Sequence, residues 1–237
     1  AVTYLSHLLC RYPDTDDGAP VLSFCPLHLD MAEVGRSWAV AGPHRDLLAG
    51  PRDSAKSMWW LILTVWALAH GHRRGVLALA RTREQVVVQL ADAREAFTSA
   101  LLLGDFPELA PRRGDGHRNT ATYVTSSGAT LAGRGLGESV LGLRALGGHR
   151  PDLIIWDDGE PEATVHTPRH KVELLRKLTS TILPMSLDAA VLMVGTPTMP
   201  GSLIHDGVRA AYGRAGLLPD RGEWVAAHGF TAHHWPA

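Results

Sequence analysis

The hydrophobic positions of this chain fall into short continuous runs separated by longer segments of mixed polarity. The continuous runs predict strands that are buried on both faces of a sheet. These strands are Arg45–Ala49, Val76–Ala80, Asp152–Trp156 and Ala189–Val194. The longer segments predict helices over Leu27–Val40, Ser57–His70, Thr82 to about Leu103, and Pro168–Thr181. Strands that alternate with helices indicate an α/β fold with a mostly parallel central sheet flanked by helices.

Other stretches predict a hairpin, a loop and the boundaries of the domain. Residues 120–125 and 130–132 alternate like the strands of a hairpin, and Ser126-Ser127-Gly128 supplies its turn. Residues 104–119 are rich in glycine, proline and arginine and predict a loop, and residues 133–148 are rich in glycine with two arginines, Arg134 and Arg144, among them. We therefore expect an N-terminal helical or lid segment at 1–40, a core at 41–205 and a tail at 206–237 with little strand signal.

Composition supports a folded protein and leaves its partners open. The chain has 237 residues, of which 45% are hydrophobic and 20% charged, enough for one sizeable α/β domain. A net charge of −1 argues against general coating of nucleic acid but permits a local basic track. Cys10 and Cys25 have no CxxC spacing, and the most apolar run, Met58–Ala69, is too short to span a bilayer. We expect a soluble intracellular chain with no membrane partner.

The segment between the first strand and the second helix predicts a phosphate-binding P-loop. The usual pattern is G-x-x-x-x-G-K-[ST], and here Ala55 stands at the second glycine. Backbone N–H groups of such a loop wrap phosphates, and the helix N-terminus adds partial positive charge. Lys56 would reach the outer phosphates of ATP, and the Ser57 hydroxyl would hold Mg²⁺. The candidate nucleotide-binding residues are Gly50, Pro51, Arg52, Asp53, Ser54, Ala55, Lys56 and Ser57. The alternative is an ordinary surface loop that contains Lys-Ser.

Acidic residues follow the strand Asp152–Trp156, at the edge where open α/β sheets bind ligands. Asp157 would contribute to the Mg²⁺ site opposite Ser57, as a Walker B aspartate does. Asp158 or Glu160 would polarise the attacking water, and the sequence does not choose between them. The alternative is an acidic turn that caps the next helix.

A third turn, Gly195-Thr196-Pro197-Thr198, also ends a predicted strand. In P-loop ATPases with a separate catalytic carboxylate, such a strand lies between the other two and its terminal hydroxyl, here that of Thr196, can sense the γ-phosphate. The alternative is a Thr-Pro turn with no ligand. Arg52 could add a second charge there, and Arg134 or Arg144 could serve as an arginine finger or form structural salt bridges. A basic track for a phosphate backbone could include Arg73, Arg74, Arg81, Arg83, Arg112, Arg113 and Arg118.

Three stretches together resemble the ATPase domain of the large terminase subunit of tailed bacteriophages: 51–57, 150–158 and 194–198. A weaker match is 77–85, and the resemblance covers roughly residues 24–205. It implies a RecA-like P-loop NTPase in which Arg52, Lys56 and Ser57 take Walker A positions. It also implies that Asp157 is the Walker B aspartate and that Thr196 and Thr198 fall in the coupling motif. The family commonly has Pro-Arg at the start of this loop and often Ala before the Lys.

The resemblance implies a motor that hydrolyses ATP with Mg²⁺ and moves double-stranded viral DNA into a prohead in the host cytoplasm. The implied partners are the portal of the prohead, the small terminase subunit and further copies of the chain in a ring. Many family members have Glu where this chain has Asp158. Residues 206–237 are too few for the family's nuclease domain, so we expect a linker there and no nuclease activity. A helicase-like DNA translocase and a non-hydrolysing nucleotide-binding structural subunit are the alternatives.

Overall fold

The computed structural model describes residues 25–112, 121–139, 149–160, 167–214 and 222–236. Within them one sheet has seven strands: β1 Arg45–Ala49, β2 Gly75–Ala80, β3 Thr122–Val124, β4 Thr130–Gly135, β5 Leu153–Asp157, β6 Ala190–Gly195 and β7 Thr231–His234. Their order across the sheet is β3-β4-β2-β5-β6-β1-β7. The β3–β4 hairpin is antiparallel and the other neighbouring strands are parallel. The predicted mostly parallel α/β fold is confirmed.

Helices cover both faces of the sheet. They are α1 Pro26–Ser37, α2 Lys56–Ala69, α3 Arg83–Thr98, α4 Ala100–Asp105, α5 Pro168–Lys177, α6 Leu183–Met185, α7 Leu203–Arg214 and α8 Glu223–Ala227. A 3₁₀ turn spans Pro107–Leu109, and a π-helical segment, Leu178–Ile182, joins α5 to α6. The helix expected from Thr82 to about Leu103 breaks at Ser99, which has an extended backbone. Among the described helices, none combines the length and apolarity needed to cross a membrane.

Adjacent residues of each central strand enter different hydrophobic clusters. Leu48 packs in a cluster with residues of α1 to α4, whereas Leu47 packs in a cluster with residues of α7 and α8. Both side chains are completely buried. This two-sided burial explains why the strands read as continuous apolar runs.

The sheet extends past residue 205, where a tail was expected. Strand β7 pairs with β1 from Asp46 opposite Thr231 to Ala49 opposite His234. The Trp235 N–H then donates to the Ala49 carbonyl at 3.0 Å. The expectation of a tail with little strand structure is therefore wrong for 231–234, because pairing with β1 supplies what the weak local pattern lacks.

Arg73 has a structural role at the edge of the sheet opposite the phosphate loop. It is 4% exposed and donates to the carbonyls of Trp38, Val40 and Asp152 at 2.9–3.0 Å. Burial lowers the pKa of Arg73. Arg73 precedes β2 and Arg81 follows it, so they lie at opposite ends of that strand. Including Arg73 in one continuous basic track was wrong, and Arg113 and Arg118 lie outside the described residues.

Two glycines of β4 allow α3 to approach the sheet closely. A Cβ at Gly133 would lie 1.8 Å from Val86 Cγ1 and 2.8 Å from Leu90 Cδ1. At Gly135 a Cβ would lie 2.8 Å from the Arg83 backbone nitrogen. The glycines at these two positions therefore set the distance between α3 and β4.

We expect Gly133→Ala to lower the free energy of unfolding by about 1–3 kcal/mol, because the new methyl group overpacks the contact with a β-branched valine. Chemical denaturation monitored by circular dichroism measures the change. Gly137→Ala is the control, since no atom lies within 4 Å of a Cβ placed there. Equal stability of the two variants would contradict the close-packing argument.

Candidate nucleotide-binding site

The carboxyl ends of β1, β6 and β5 lie side by side and are joined by backbone hydrogen bonds. Gly50 N–H donates to the Gly195 carbonyl at 3.1 Å, and Asp158 N–H donates to the Val194 carbonyl at 3.0 Å. Strand β6 pairs with both β1 and β5, which confirms its predicted place between them. A cleft of about 450 Å³ opens at this edge. It is lined by Arg52, Asp53, Ser54, Ala55, Lys56, Ser57, Met58, Arg81, Gln85, Asp158, Glu160, Thr196, Thr198 and Ile204.

The loop from Gly50 to Ala55 joins β1 directly to the N-terminus of α2, as the sequence predicts. Asp53 and Ala55 have positive φ angles of 57° and 54°. Left-handed backbone costs an alanine roughly 1–2 kcal/mol, so Ala55 adopts a conformation that glycine would take more easily. The Ser54 hydroxyl donates to the Pro51 carbonyl at 2.8 Å and tightens the turn. Backbone N–H groups of residues 52–55, all described, make no hydrogen bond to protein.

Lys56 lies folded back over this loop. Its ammonium group donates to the Pro51 carbonyl and, at 3.3 Å, to the Ser54 hydroxyl. Burial lowers the pKa of Lys56, and the carboxylates of Asp158, Asp157 and Asp53 act in the opposite direction. A phosphate entering the cleft would have to draw the ammonium group away from Pro51.

Asp157 is buried at the end of β5, with 2% of its surface exposed. Its Oδ2 accepts hydrogen bonds from Trp60 Nε1 at 2.9 Å and Gln89 Nε2 at 2.7 Å. Burial raises the pKa of Asp157 to about 6, against smaller opposing contributions from Ser57 and Trp60. Its other oxygen, Oδ1, is buried without a full hydrogen bond. A buried carboxylate oxygen with free acceptor capacity, on a side chain that interacts with the Ser57 hydroxyl, fits the oxygen ligands or bridging waters of Mg²⁺.

The two candidates for polarising water have different surroundings. Asp158 is exposed at the cleft, has φ of 42°, and accepts the Thr196 N–H at Oδ1. Glu160 accepts the backbone N–H groups of Leu203 and Ile204 at 2.7 and 3.0 Å. Its carboxylate therefore caps the N-terminus of α7.

The remaining predicted residues are divided between the cleft and positions outside it. Arg52, Thr196 and Thr198 all line the cleft. Arg134 lies on β4, outside the residues that line it, and donates to the Gly133 carbonyl. Arg144 lies outside the described residues.

His28 supports the loop from outside and was missed by the sequence analysis. Its Nδ1 accepts the Cys25 N–H at 3.2 Å, which leaves Nε2 as the donor to the Ser54 carbonyl at 3.0 Å. The ring also stacks on Trp59, with 5.0 Å between centroids. Gln89, Trp60 and Gln85 were likewise not proposed as site residues, and Arg81, which lines the cleft, was proposed only for the basic track. A local signal exists for Gln85 alone, which completes a capping box with Thr82.

Comparison with known proteins identifies the fold. The large terminase of bacteriophage HK97 matches 92% of this chain with a TM-score of 0.51 and 14% identity, over 42% of its own length. A mutant of the large terminase ATPase domain of Thermus phage P74-26 matches 87% of this chain with the same TM-score and identity, over 73% of its own length. No protein-family model matches the chain, and no curated protein matches it in sequence. The chain therefore has the fold of the terminase ATPase domain.

In metal-free buffer, we expect Asp157→Asn to stabilise the protein near pH 7. The folded-state pKa of about 6 lies above the unfolded value of 3.8. The folded protein therefore binds the proton more tightly, and the wild type loses stability as pH rises from about 4 to 6. Two pKa units correspond to roughly 3 kcal/mol, an upper value for the gain in the variant.

Denaturant unfolding in EDTA at pH 4, 5, 6 and 7 measures this difference. The gap between variant and wild type should be smallest at pH 4 and should widen up to about pH 6. Asp105→Asn, at an exposed position, is the matched control. A constant gap at all four values would show that titration of Asp157 is not its cause.

Proposed function

We propose that this chain binds and hydrolyses Mg·ATP as the motor domain of a phage large terminase, moving double-stranded viral DNA into a prohead. The fold similarity supports the class of protein. The observation that carries the proposal is the meeting of three strand ends at one cleft. There, Lys56 and Ser57 begin a helix beside the buried Asp157, whose Oδ1 has no full hydrogen bond.

The residues of the cleft divide the chemistry among them. The N–H groups of the loop and Lys56 would bind the phosphates, and Arg52 would add charge near the γ-phosphate. Ser57 and Asp157 would hold Mg²⁺, which neutralises charge on the phosphate oxygens when it is bound. Oδ2 of Asp157 already accepts hydrogen bonds from Trp60 and Gln89, so Oδ1 would be the oxygen that binds Mg²⁺ or one of its waters.

The geometry favours Asp158 over Glu160 as the residue that orients the attacking water. Asp158 is exposed at the cleft, whereas Glu160 would first have to release two backbone N–H groups of α7. The contact between Asp158 and the Thr196 N–H also joins this carboxylate to the turn after β6. Movement of Asp158 during hydrolysis would therefore reach the turn after β6, which is a route for coupling to DNA.

The partners of the motor belong to the same proposal. They are double-stranded DNA, the portal of the prohead, the small terminase subunit and further copies of the chain in a ring, in the host cytoplasm. A helicase-like translocase would share the chemistry and differ in its partner. A subunit that binds nucleotide without hydrolysing it is the alternative of another kind, since Asp158 stands where many relatives have Glu and the next acidic residue, Glu160, is engaged with α7.

We expect Lys56→Ala to lower DNA-stimulated ATPase activity at least about a hundredfold, because the cleft loses the cation that its phosphate loop supplies. Phosphate release with and without double-stranded DNA measures the effect. Arg169→Ala is the control, since that exposed side chain pairs with Glu173 on α5, outside the residues lining the cleft. Nucleotide binding without turnover in the wild type would favour the non-hydrolysing alternative.

Asp158→Asn and Glu160→Gln should separate the two candidates for water polarisation. We expect Asp158→Asn to reduce turnover about a hundredfold or more, as loss of a general base does, with nucleotide affinity changed only a few-fold. Glu160→Gln keeps an oxygen for the α7 cap and should mainly lower the melting temperature. Single-turnover hydrolysis and thermal unfolding measure both variants, and the reverse pattern would assign the role to Glu160.

A further inference from the structure

We propose that Gln89 is a positioning residue of the metal site, and that through it α3 controls which oxygen of Asp157 is offered to Mg²⁺. This inference rests on the proposed function. It adds a residue on an element outside the phosphate loop, the β5 end and the turn after β6.

The hydrogen bonds of Asp157 carry the argument. Gln89 Nε2 donates to Oδ2 at 2.7 Å, and Trp60 Nε1 donates to the same oxygen at 2.9 Å. Two donors on one oxygen fix the position of that oxygen from two directions and occupy its lone pairs. The other oxygen, Oδ1, is buried with no full hydrogen bond. The carboxylate therefore presents a single oxygen for a ligand.

The two donors come from elements with different relations to the cleft. Trp60 is fully buried on α2, the helix that begins with Lys56. Gln89 lies on α3, whose first turn includes Gln85 at the cleft. Of these two contacts, the one from Gln89 is the one that a shift of α3 against the sheet would change.

The fold fixes Gln89 tightly in its present place. Val86 and Leu90, which lie before and after Gln89 on α3, pack directly against the backbone of Gly133. A Cβ at Gly133 would lie only 1.8 and 2.8 Å from their side chains. The start of α3 is fixed by the capping box between Thr82 and Gln85. The Oε1 atom of Gln89 is buried without a hydrogen bond, so the amide is held there at the cost of one unsatisfied acceptor. In return, the Nε2 of this half-buried side chain donates its hydrogen bond to Asp157.

A structural role alone would give a different outcome from a positioning role. If Gln89 only supplied a hydrogen bond to a buried carboxylate, replacing it would lower the stability of the protein and leave the Mg²⁺ dependence of nucleotide binding unchanged. If it directs Oδ1, its loss frees Asp157 to rotate and weakens metal binding specifically. Mutation of a residue that hydrogen-bonds to a metal ligand typically lowers metal affinity 10–100-fold.

The test measures nucleotide affinity against Mg²⁺ concentration in the full chain. The variant is Gln89→Met, which keeps length and helix propensity and removes the donor. The control is Val88→Met, at a neighbouring position of α3 that is 67% exposed. A fluorescent ATP analogue is titrated in EDTA and then at graded Mg²⁺, and melting temperatures are recorded in parallel.

We expect Gln89→Met to raise the Mg²⁺ concentration for half-maximal enhancement of binding about tenfold, with metal-free affinity within twofold of wild type. Val88→Met should match the wild type in both. An unchanged Mg²⁺ response, or an equal loss of affinity with and without Mg²⁺, would overturn the inference. If Gln89→Met does not fold, Gln89→Leu replaces it, since leucine also keeps helix propensity, has no donor for Oδ2 and should show the same shift.

The same experiment distinguishes failure of the proposed function from failure of this inference. A wild type that binds no nucleotide at any Mg²⁺ concentration would refute the proposed function and this inference together. A wild type with Mg²⁺-dependent binding, beside a Gln89→Met variant with the same dependence, would refute the inference alone.

Discussion

The parallel pairing of β6 with β1 on one side and β5 on the other is the constraint on which the candidate site depends. Each neighbour leaves the sheet with one more backbone hydrogen bond to β6, from Gly50 to the Gly195 carbonyl and from Asp158 to the Val194 carbonyl. The loop from Gly50 to Ala55 and the acidic turn after β5 are thus fixed to a common strand before any side chain contributes. Side-chain contacts such as that of Asp158 with the Thr196 N–H then refine an arrangement that the backbone has already set.

Much of this arrangement could be predicted from the sequence because it depends on local patterns. Continuous apolar runs identified β1, β2, β5 and β6, and the polar residues after them identified the cleft edge. Ala55 shows why the loop could be predicted despite a missing glycine. Its left-handed backbone is of the kind that glycine favours, so the loop keeps this conformation while the side chain departs from the usual pattern.

The rest depends on contacts between distant parts of the chain, which leave no local pattern. Gln89 and Asp157 are 68 residues apart, and the sequence around Gln89 predicts a helix and nothing about this contact. His28 meets Ser54 across 26 residues. The different surroundings of Asp158 and Glu160 could not be predicted from sequence either, because those of Glu160 depend on where α7 begins.

The place of β7 has a consequence for how the domain can be divided. Strand β7 covers the outer side of β1, the strand that leads into the phosphate loop, and Arg45 also donates to the His228 carbonyl at 2.7 Å. A chain cut at residue 205 would leave the N–H and C=O groups along that side of β1 without these partners. Open strand edges pair readily with other chains, so a shortened version would invite aggregation at the very strand that carries the loop.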